Sequence, residues 1–182
     1  MQVFLIRHPR PLVEAGVCYG RQDVDCADPA AVALQLKPGL PETVLVYSSP
    51  LRRARRLAEY LASEEGNVLI DARLSEIDFG EWEGRRWDQI ERCQLDAWAS
   101  DVLGFVPPGG ESVASLRDRA VDFATSLVQG DHTARSESQG IALVTHAGIM
   151  RALIGYWRQL PVSEWSQLKF DFGEMICLEV EP

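Results

Sequence analysis

Short apolar runs alternate along this chain with segments that carry a helical stripe. Residues 2–7 (QVFLIR), 43–48 (TVLVYS), 67–71 (NVLID) and 141–145 (IALVT) are almost continuous in hydrophobic residues, and 174–180 (EMICLEV) repeats the pattern near the end. Runs of this length and character predict strands buried on both faces. Between them the period changes. Residues 50–62 put Leu51, Ala54, Leu57, Ala58 and Leu61 on one face, with Ser49 as a candidate N-cap and Pro50 at the first helical position. Residues 112–128 repeat the stripe with Val113, Leu116, Ala120, Phe123 and Leu127, and a third helical stretch, 148–157, follows the fourth strand directly.

Strands alternating with helices predict one α/β layered domain over residues 1–182, with a mostly parallel central sheet flanked by helices on both faces. Ligands of such sheets gather beyond the carboxyl ends of the strands. The first strand ends at Arg7-His8, the second at Ser48-Ser49 and the fourth at Thr145-His146, so two of the three histidines fall on that edge. The third, His132, lies in the polar connector 129–140 and reads as an exposed bystander. Segments 72–86 and 104–111 have no periodicity and read as loops. Gly109-Gly110-Glu111-Ser112 fits either a flap over substrate or a turn into a helix capped by Ser112.

Composition narrows the class. The 182 residues suffice to bury a core without a metal or disulfide staple, and 46% hydrophobic against 25% charged is a globular balance. Net charge is −9, the opposite of a general nucleic-acid binder. No apolar run approaches the ~20 residues of a membrane span. The start, Met1-Gln2-Val3, shows no basic region or small-residue cleavage site, so a cytoplasmic protein is expected. Cys18, Cys26, Cys93 and Cys177 are scattered without metal or disulfide spacing and are expected as reduced thiols. Of 18 basic residues only Lys37 and Lys169 are lysines, which leaves 16 arginines, and Arg52, Arg53, Arg55 and Arg56 crowd together. Arginine presents a planar fork suited to phosphate and carboxylate, although a solvated helix face accounts for most of these sixteen equally well.

Taken singly, a histidine at a strand end is more economically a hydrogen-bonded structural residue. Taken together, Arg7-His8, Val144-Thr145-His146-Ala147-Gly148, the helix start Ser48-Ser49-Pro50-Leu51-Arg52-Arg53-Ala54 and the loop Leu74-Ser75-Glu76 bring two imidazoles, guanidiniums and a carboxylate to one rim. That set suits phosphoryl transfer, whose transition state spreads charge over three equatorial oxygens. Guanidinium forks hold those oxygens, a neutral imidazole attacks phosphorus, and a carboxylic acid protonates the leaving oxygen.

These segments, with Leu74-Ser75-Glu76 running on to Phe79-Gly80-Glu81-Trp82-Glu83-Gly84, resemble the histidine phosphatase superfamily (phosphoglycerate-mutase-like). The likeness extends from residue 3 to about residue 156. Cys18-Tyr19-Gly20-Arg21-Gln22-Asp23 and Pro108-Gly109-Gly110-Glu111-Ser112 add a similarity to its α-ribazole phosphatase branch. The resemblance implies His8 as the nucleophile, Arg7 and Arg53 as the phosphate clamp, His146 as the second histidine and Glu76 as proton donor. It also implies phosphate or substrate contacts for Arg21 and Gly148. It implies a small phosphomonoester substrate, α-ribazole 5′-phosphate or the cobalamin 5′-phosphate form, with no metal, no other cofactor, and no nucleic-acid or membrane partner. It leaves the oligomeric state open.

Arg52, Arg55 and Arg56 match no catalytic position. Glu81 and Glu83 are expected to be structural, and Trp82 and Trp87 core anchors, although a benzimidazole ring would suit a stacking aromatic. Pro9 stands where the family usually has glycine and cannot donate a backbone N–H to phosphate. Pro11, Glu14 and Leu57 also depart from the pattern, and Glu14 is expected to point away. A phosphatase for another small ester (sugar phosphate, nucleotide or phosphoamino acid) and a non-catalytic phospholigand-binding domain remain as rival readings, and a mutase fits less well in so short a chain.

Overall fold

A computed structural model describes residues 1–62, 67–129 and 138–181. Five strands, β1 (Gln2–Arg7), β2 (Val44–Ser48), β3 (Leu69–Ile70), β4 (Gly140–Thr145) and β5 (Met175–Glu179), form one sheet in the order β3-β2-β4-β1-β5. Its first four strands pair in parallel and β5 pairs antiparallel with β1. The mostly parallel sheet is the one predicted. β3 is shorter than the predicted run 67–71, as suits an edge strand whose side chains are exposed.

Strand alternation sends side chains to two separate cores. Val3 and Leu5 of β1 with Ile141 and Leu143 of β4 pack with Leu116, Ala120 and Phe123 of α4 (Val113–Gln129) and with Ile149, Met150 and Leu153 of α5 (Ala147–Trp157). Phe4 and Ile6 with Ala142 and Val144 face the other way, onto Ala33 of α1 (Pro29–Leu36) and Ala54, Leu57, Ala58 and Leu61 of α2 (Arg52–Leu61). The double burial explains why these strands read as continuous apolar runs rather than alternating ones.

The sequence pattern predicts neither helix α1 nor helix α3 (Arg92–Ser100), because both stripes are interrupted by polar residues and alanines. Helix α2 begins two residues later than Pro50; Ser49 still accepts a hydrogen bond from the Leu51 N–H, at 3.2 Å. His132 lies outside the described residues. The segments at 77–111 carry a third cluster, in which Cys18, Trp82 and Ile90 pack with Phe79, Trp87, Leu95, Trp98 and Phe105. Among the described residues no helix is long and apolar enough to cross a membrane.

The site's position follows from topology. β1 and β4 are neighbours, yet β1 leads to α1 on one face of the sheet and β4 leads to α5 on the other. Their connections part at the carboxyl edge and open a crevice there, as at the switch points of other open α/β sheets.

Candidate active site

His8 and His146 directly follow these two strands. Arg7 pairs in register with Thr145, and the His8 N–H bonds the Thr145 carbonyl at 3.0 Å, so the two imidazoles emerge side by side with centroids 5.0 Å apart. Arg53 enters from the first turn of α2, after the neighbouring strand β2. Its helix face otherwise buries only Ala54, Leu57, Ala58 and Leu61, and a fully buried arginine among them is the exception that marks function. Glu76 arrives from the segment after β3. All four carriers therefore meet at one edge.

His8 is buried, and its Nδ1 lies 2.6 Å from the Pro9 carbonyl oxygen. A carbonyl only accepts, so the proton sits on Nδ1 and the lone pair on Nε2. Pro9 has no N–H to offer phosphate, but its carbonyl fixes the tautomer. Burial, then the Arg53 cation and more weakly Arg7, push His8 down to about 3, against the opposing pull of the Pro9 hydrogen bond. His146 is fully buried and is held well below the ordinary histidine value by burial, then by Arg53, His8, Arg119 and Arg7. Both rings are thus neutral near pH 7. His146 Nε2 lies 2.8 Å from Ser49 Oγ.

The two arginines are anchored through backbone carbonyls. Arg7 donates to the Phe170 carbonyl at 2.6 Å, with its guanidinium carbon 3.8 Å above the centre of the Phe172 ring; that ring also lies 5.5 Å from the His8 ring. Arg53 donates to the Gln22 carbonyl at 2.8 Å and to the Gly20 carbonyl. Burial lowers both guanidinium pKa values, and Glu76 counters it in both. Four buried side-chain atoms lack a hydrogen-bond partner among the described residues: Arg7 Nε, Arg53 Nε, His146 Nδ1 and the more remote Trp157 Nε1. An unpaired buried polar atom costs roughly 1–3 kcal/mol. Two of these four atoms, the Nε–H groups of Arg7 and Arg53, are donors at one crevice and would gain from an anion there.

Glu76 is half-buried; its Oε2 accepts from the Gly148 N–H at 3.2 Å and its Oε1 from the Ile77 N–H at 3.1 Å. A Cβ at position 148 would collide with Glu76 Oε1. Gly148 thus seats the carboxyl group. Arg21 is exposed and pairs with Glu111 at 2.9 Å and Asp78 at 3.6 Å. Glu83 accepts from the N–H groups of Arg21, Gln22 and Phe79, which makes it a structural clamp on the loop holding Arg53. Trp82 is fully buried and is a core anchor, while the partly buried Trp87 packs against the same cluster and stacks on Trp98 at 5.8 Å. Arg52, Arg55 and Arg56 form ion pairs with Asp23, Glu59 and Asp25. Glu14 is exposed in a turn and Leu57 is core.

Segment 104–112 is docked rather than free. Glu81 N–H bonds the Pro108 carbonyl and Glu111 N–H bonds the Asp78 carbonyl, with Gly80 (φ 57°) and Gly110 letting the two backbones touch. Ser112 Oγ accepts from the Ser115 N–H at 3.1 Å, the capping alternative for this stretch. Phe172 and Arg119 carry no signal in the sequence. Ser49 is expected there as a helix cap at a strand end, and its contact with His146 comes only from the fold. Among the described residues no group of three or more His, Cys, Asp or Glu could hold a metal ion.

The neutral, buried histidines make stability acid-sensitive. The unfolded chain takes up protons below about pH 6.5 that folded His8 refuses down to about 3, so stability is full above pH 6.5 and falls between those values. Each histidine contributes at most about 1.4 kcal/mol per pH unit. Tm should drop from pH 7 to pH 5, with a shallower slope in His8→Asn or His146→Asn; slopes parallel to wild type would show that neither imidazole is excluded from protonation.

Comparison with known proteins agrees with this pocket. The family model for the histidine phosphatase superfamily (branch 1) matches residues 3–182. A glucosyl-3-phosphoglycerate phosphatase of Mycolicibacterium vanbaalenii is 32% identical over 177 residues, covering 92% of this chain and 78% of that protein. An adenosylcobalamin/alpha-ribazole phosphatase of Salmonella typhimurium is 27% identical over 139 residues, covering 76% of this chain and 66% of that protein. Among solved structures, a mycobacterial glucosyl-3-phosphoglycerate phosphatase in complex with VO3 superposes with a TM-score of 0.81 at 27% identity, over 98% of this chain and 92% of that one. A match over nearly the whole length, on a fold whose two histidines and two arginines meet at one strand edge, places the chain in the histidine phosphatase superfamily, as a phosphomonoester hydrolase.

Proposed function

We propose that this phosphatase works without a metal, through a phosphohistidine on His8, and that its substrate is α-ribazole 5′-phosphate or the related cobalamin 5′-phosphate. In the first step His8 Nε2 attacks phosphorus, the P–O bond to the leaving group breaks, and Glu76 in its protonated form gives that oxygen a proton. In the second, water attacks the phosphohistidine, Glu76 takes a proton from the water, and the P–N bond breaks to release phosphate. Arg7 and Arg53 supply positive charge to the phosphoryl oxygens, and His146 braces them. The observation that carries this reading is the coincidence of unpaired buried polar atoms on Arg7, Arg53 and His146 beside a neutral His8.

The substrate part rests on the stretches 18–23 and 108–112, which are similar to the α-ribazole branch and flank the loop bearing Glu76. A second reading, a phosphorylated sugar acid of the glucosyl-3-phosphoglycerate kind, draws on the 32% identity over 92% of the chain. The enclosure of Trp82 also favours it, since that ring is not free to stack on a benzimidazole.

Phosphate release from α-ribazole 5′-phosphate, glucosyl-3-phosphoglycerate, a nucleotide and p-nitrophenyl phosphate separates the two. The expected result is a kcat/KM for the ribazole ester at least about a hundredfold above the others, a gap of about 2.7 kcal/mol in transition-state binding. The same margin for the sugar-acid ester would replace the first reading with the second, and a flat profile would remove both.

A further inference from the structure

We infer that Arg119 and Glu111 are positioning residues that fix the Glu76 carboxyl against the two histidines. The inference rests on the reading of Glu76 as proton donor. Arg119 projects from α4 and uses the whole guanidinium fork. Its Nη1 donates to the carbonyls of Arg73 at 2.7 Å and Ser75 at 2.6 Å, and its Nη2 to that of Glu76 at 3.1 Å. Nη2 and Nε also grip the two Glu111 oxygens, at 2.6 and 3.2 Å. The five N–H groups of the fork thus meet five acceptors.

The remaining carbonyl of the stretch, that of Leu74, accepts from Thr145 Oγ1 at 2.7 Å. Four successive carbonyls, 73 to 76, are therefore held by side chains, in a segment that makes no strand. One of the two holders adjoins His146 in sequence. Glu111 is the other end of the brace: its Oε1 also accepts from the Asp78 N–H at 3.1 Å and from Arg21 at 2.9 Å. It ties the chain after Glu76 to the same guanidinium. Both partners are mostly buried, with side-chain exposures of 17% and 15%, so the pair is shielded from solvent screening. The brace ends on backbone, and Glu76 keeps its carboxyl free apart from the Gly148 and Ile77 N–H groups. A proton donor shifted by about 1 Å can lose on the order of a hundredfold in rate.

A proton donor matters most for a poor leaving group, and that separates positioning from plain stability. The variants Arg119→Met, Arg119→Lys and Glu111→Gln are assayed beside Glu76→Gln on glycerol 2-phosphate, an alkyl ester, and on p-nitrophenyl phosphate. Arg119→Met should lose at least about 30-fold in kcat on the alkyl ester and less than about 5-fold on the aryl ester. Lysine, with three N–H groups against five acceptors, should restore only part. In the Glu76→Gln background Arg119→Met should add less than about threefold, because both act through one carboxyl group.

Equal losses on both esters, or full additivity in the double variant, would overturn the inference and make the pair structural only. If Glu76→Gln splits the esters and Arg119→Met does not, the inference alone fails; if Glu76→Gln does not split them, the proton-donor reading fails and takes the inference with it. Should Arg119→Met not fold, Glu111→Gln decides. It leaves the three carbonyl bonds in place and should show a smaller split in the same direction; no split would count against the brace.

Discussion

His8→Ala should lower kcat/KM by at least about 10⁴-fold on every ester, equivalent to about 5.5 kcal/mol of transition-state stabilisation. The expectation rests on the tautomer. With Nδ1 tied to the Pro9 carbonyl, Nε2 is the ring atom with a lone pair, and burial beside Arg53 keeps it unprotonated. Alanine removes the atom that would carry the phosphoryl group and leaves the arginines intact, so phosphate should still bind. His146 is taken as the group that braces the phosphoryl oxygens, with its Nε2 engaged by Ser49, and not as a second nucleophile. Phosphate binding to His8→Ala, followed by calorimetry, together with turnover on p-nitrophenyl phosphate, checks both halves. More than about 1% residual turnover, against a loss of this order for a true nucleophile, would remove His8 from that role.

Much of the site could be read from sequence because it depends on strand ends. Once 2–7 and 141–145 are parallel neighbours, Arg7-His8 and Thr145-His146 must share an edge, and no finer detail is required to bring the imidazoles together. Arg53 was legible only through the resemblance, since in sequence it is one of four crowded arginines; its burial on the apolar face of α2 appears in the fold. What stayed hidden was set by chain segments distant in sequence. Arg119 reads as one more charge on the polar side of an amphipathic helix. Its function is visible only when the carbonyls of 73–76 are brought to it from more than forty positions away. Phe172, in a turn just before the last strand, gave no periodic signal, yet it lies under the Arg7 guanidinium.

Gly148 and Arg21, for which the resemblance implies phosphate or substrate contacts, both have partners within the fold. The Gly148 N–H bonds a carboxyl oxygen of Glu76, and a Cβ there would strike Glu76. Arg21 carries a free-looking charge in sequence, but Glu111 and Asp78 claim it in the fold. At position 9 the feature the fold uses is a carbonyl, which proline retains.

Glu76→Gln should divide substrates by their leaving groups. Glutamine keeps the size of the side chain but only one acceptor oxygen, so one of the Gly148 and Ile77 N–H groups, which bond different oxygens of Glu76, loses its partner at about 1–3 kcal/mol, a cost the fold should bear. It has no acidic proton to give. Expulsion of an alkoxide then proceeds without help, and the loss for alkyl phosphates should be about 10²- to 10⁴-fold, the usual worth of a positioned acid. A nitrophenolate leaves without much protonation, so its loss should stay below about tenfold. The second step gives an independent signature. Glu76 is also the base that takes a proton from the attacking water, so with an activated ester the slow step should move to hydrolysis of the phosphohistidine. A rapid burst of nitrophenolate, one per enzyme, followed by slow turnover is expected, with the phosphoryl group trapped on His8. A uniform loss across esters without a burst would mean that Glu76 serves the pocket's charge balance beside Arg7 and Arg53, which both sense its carboxylate, and that the leaving oxygen takes its proton from elsewhere.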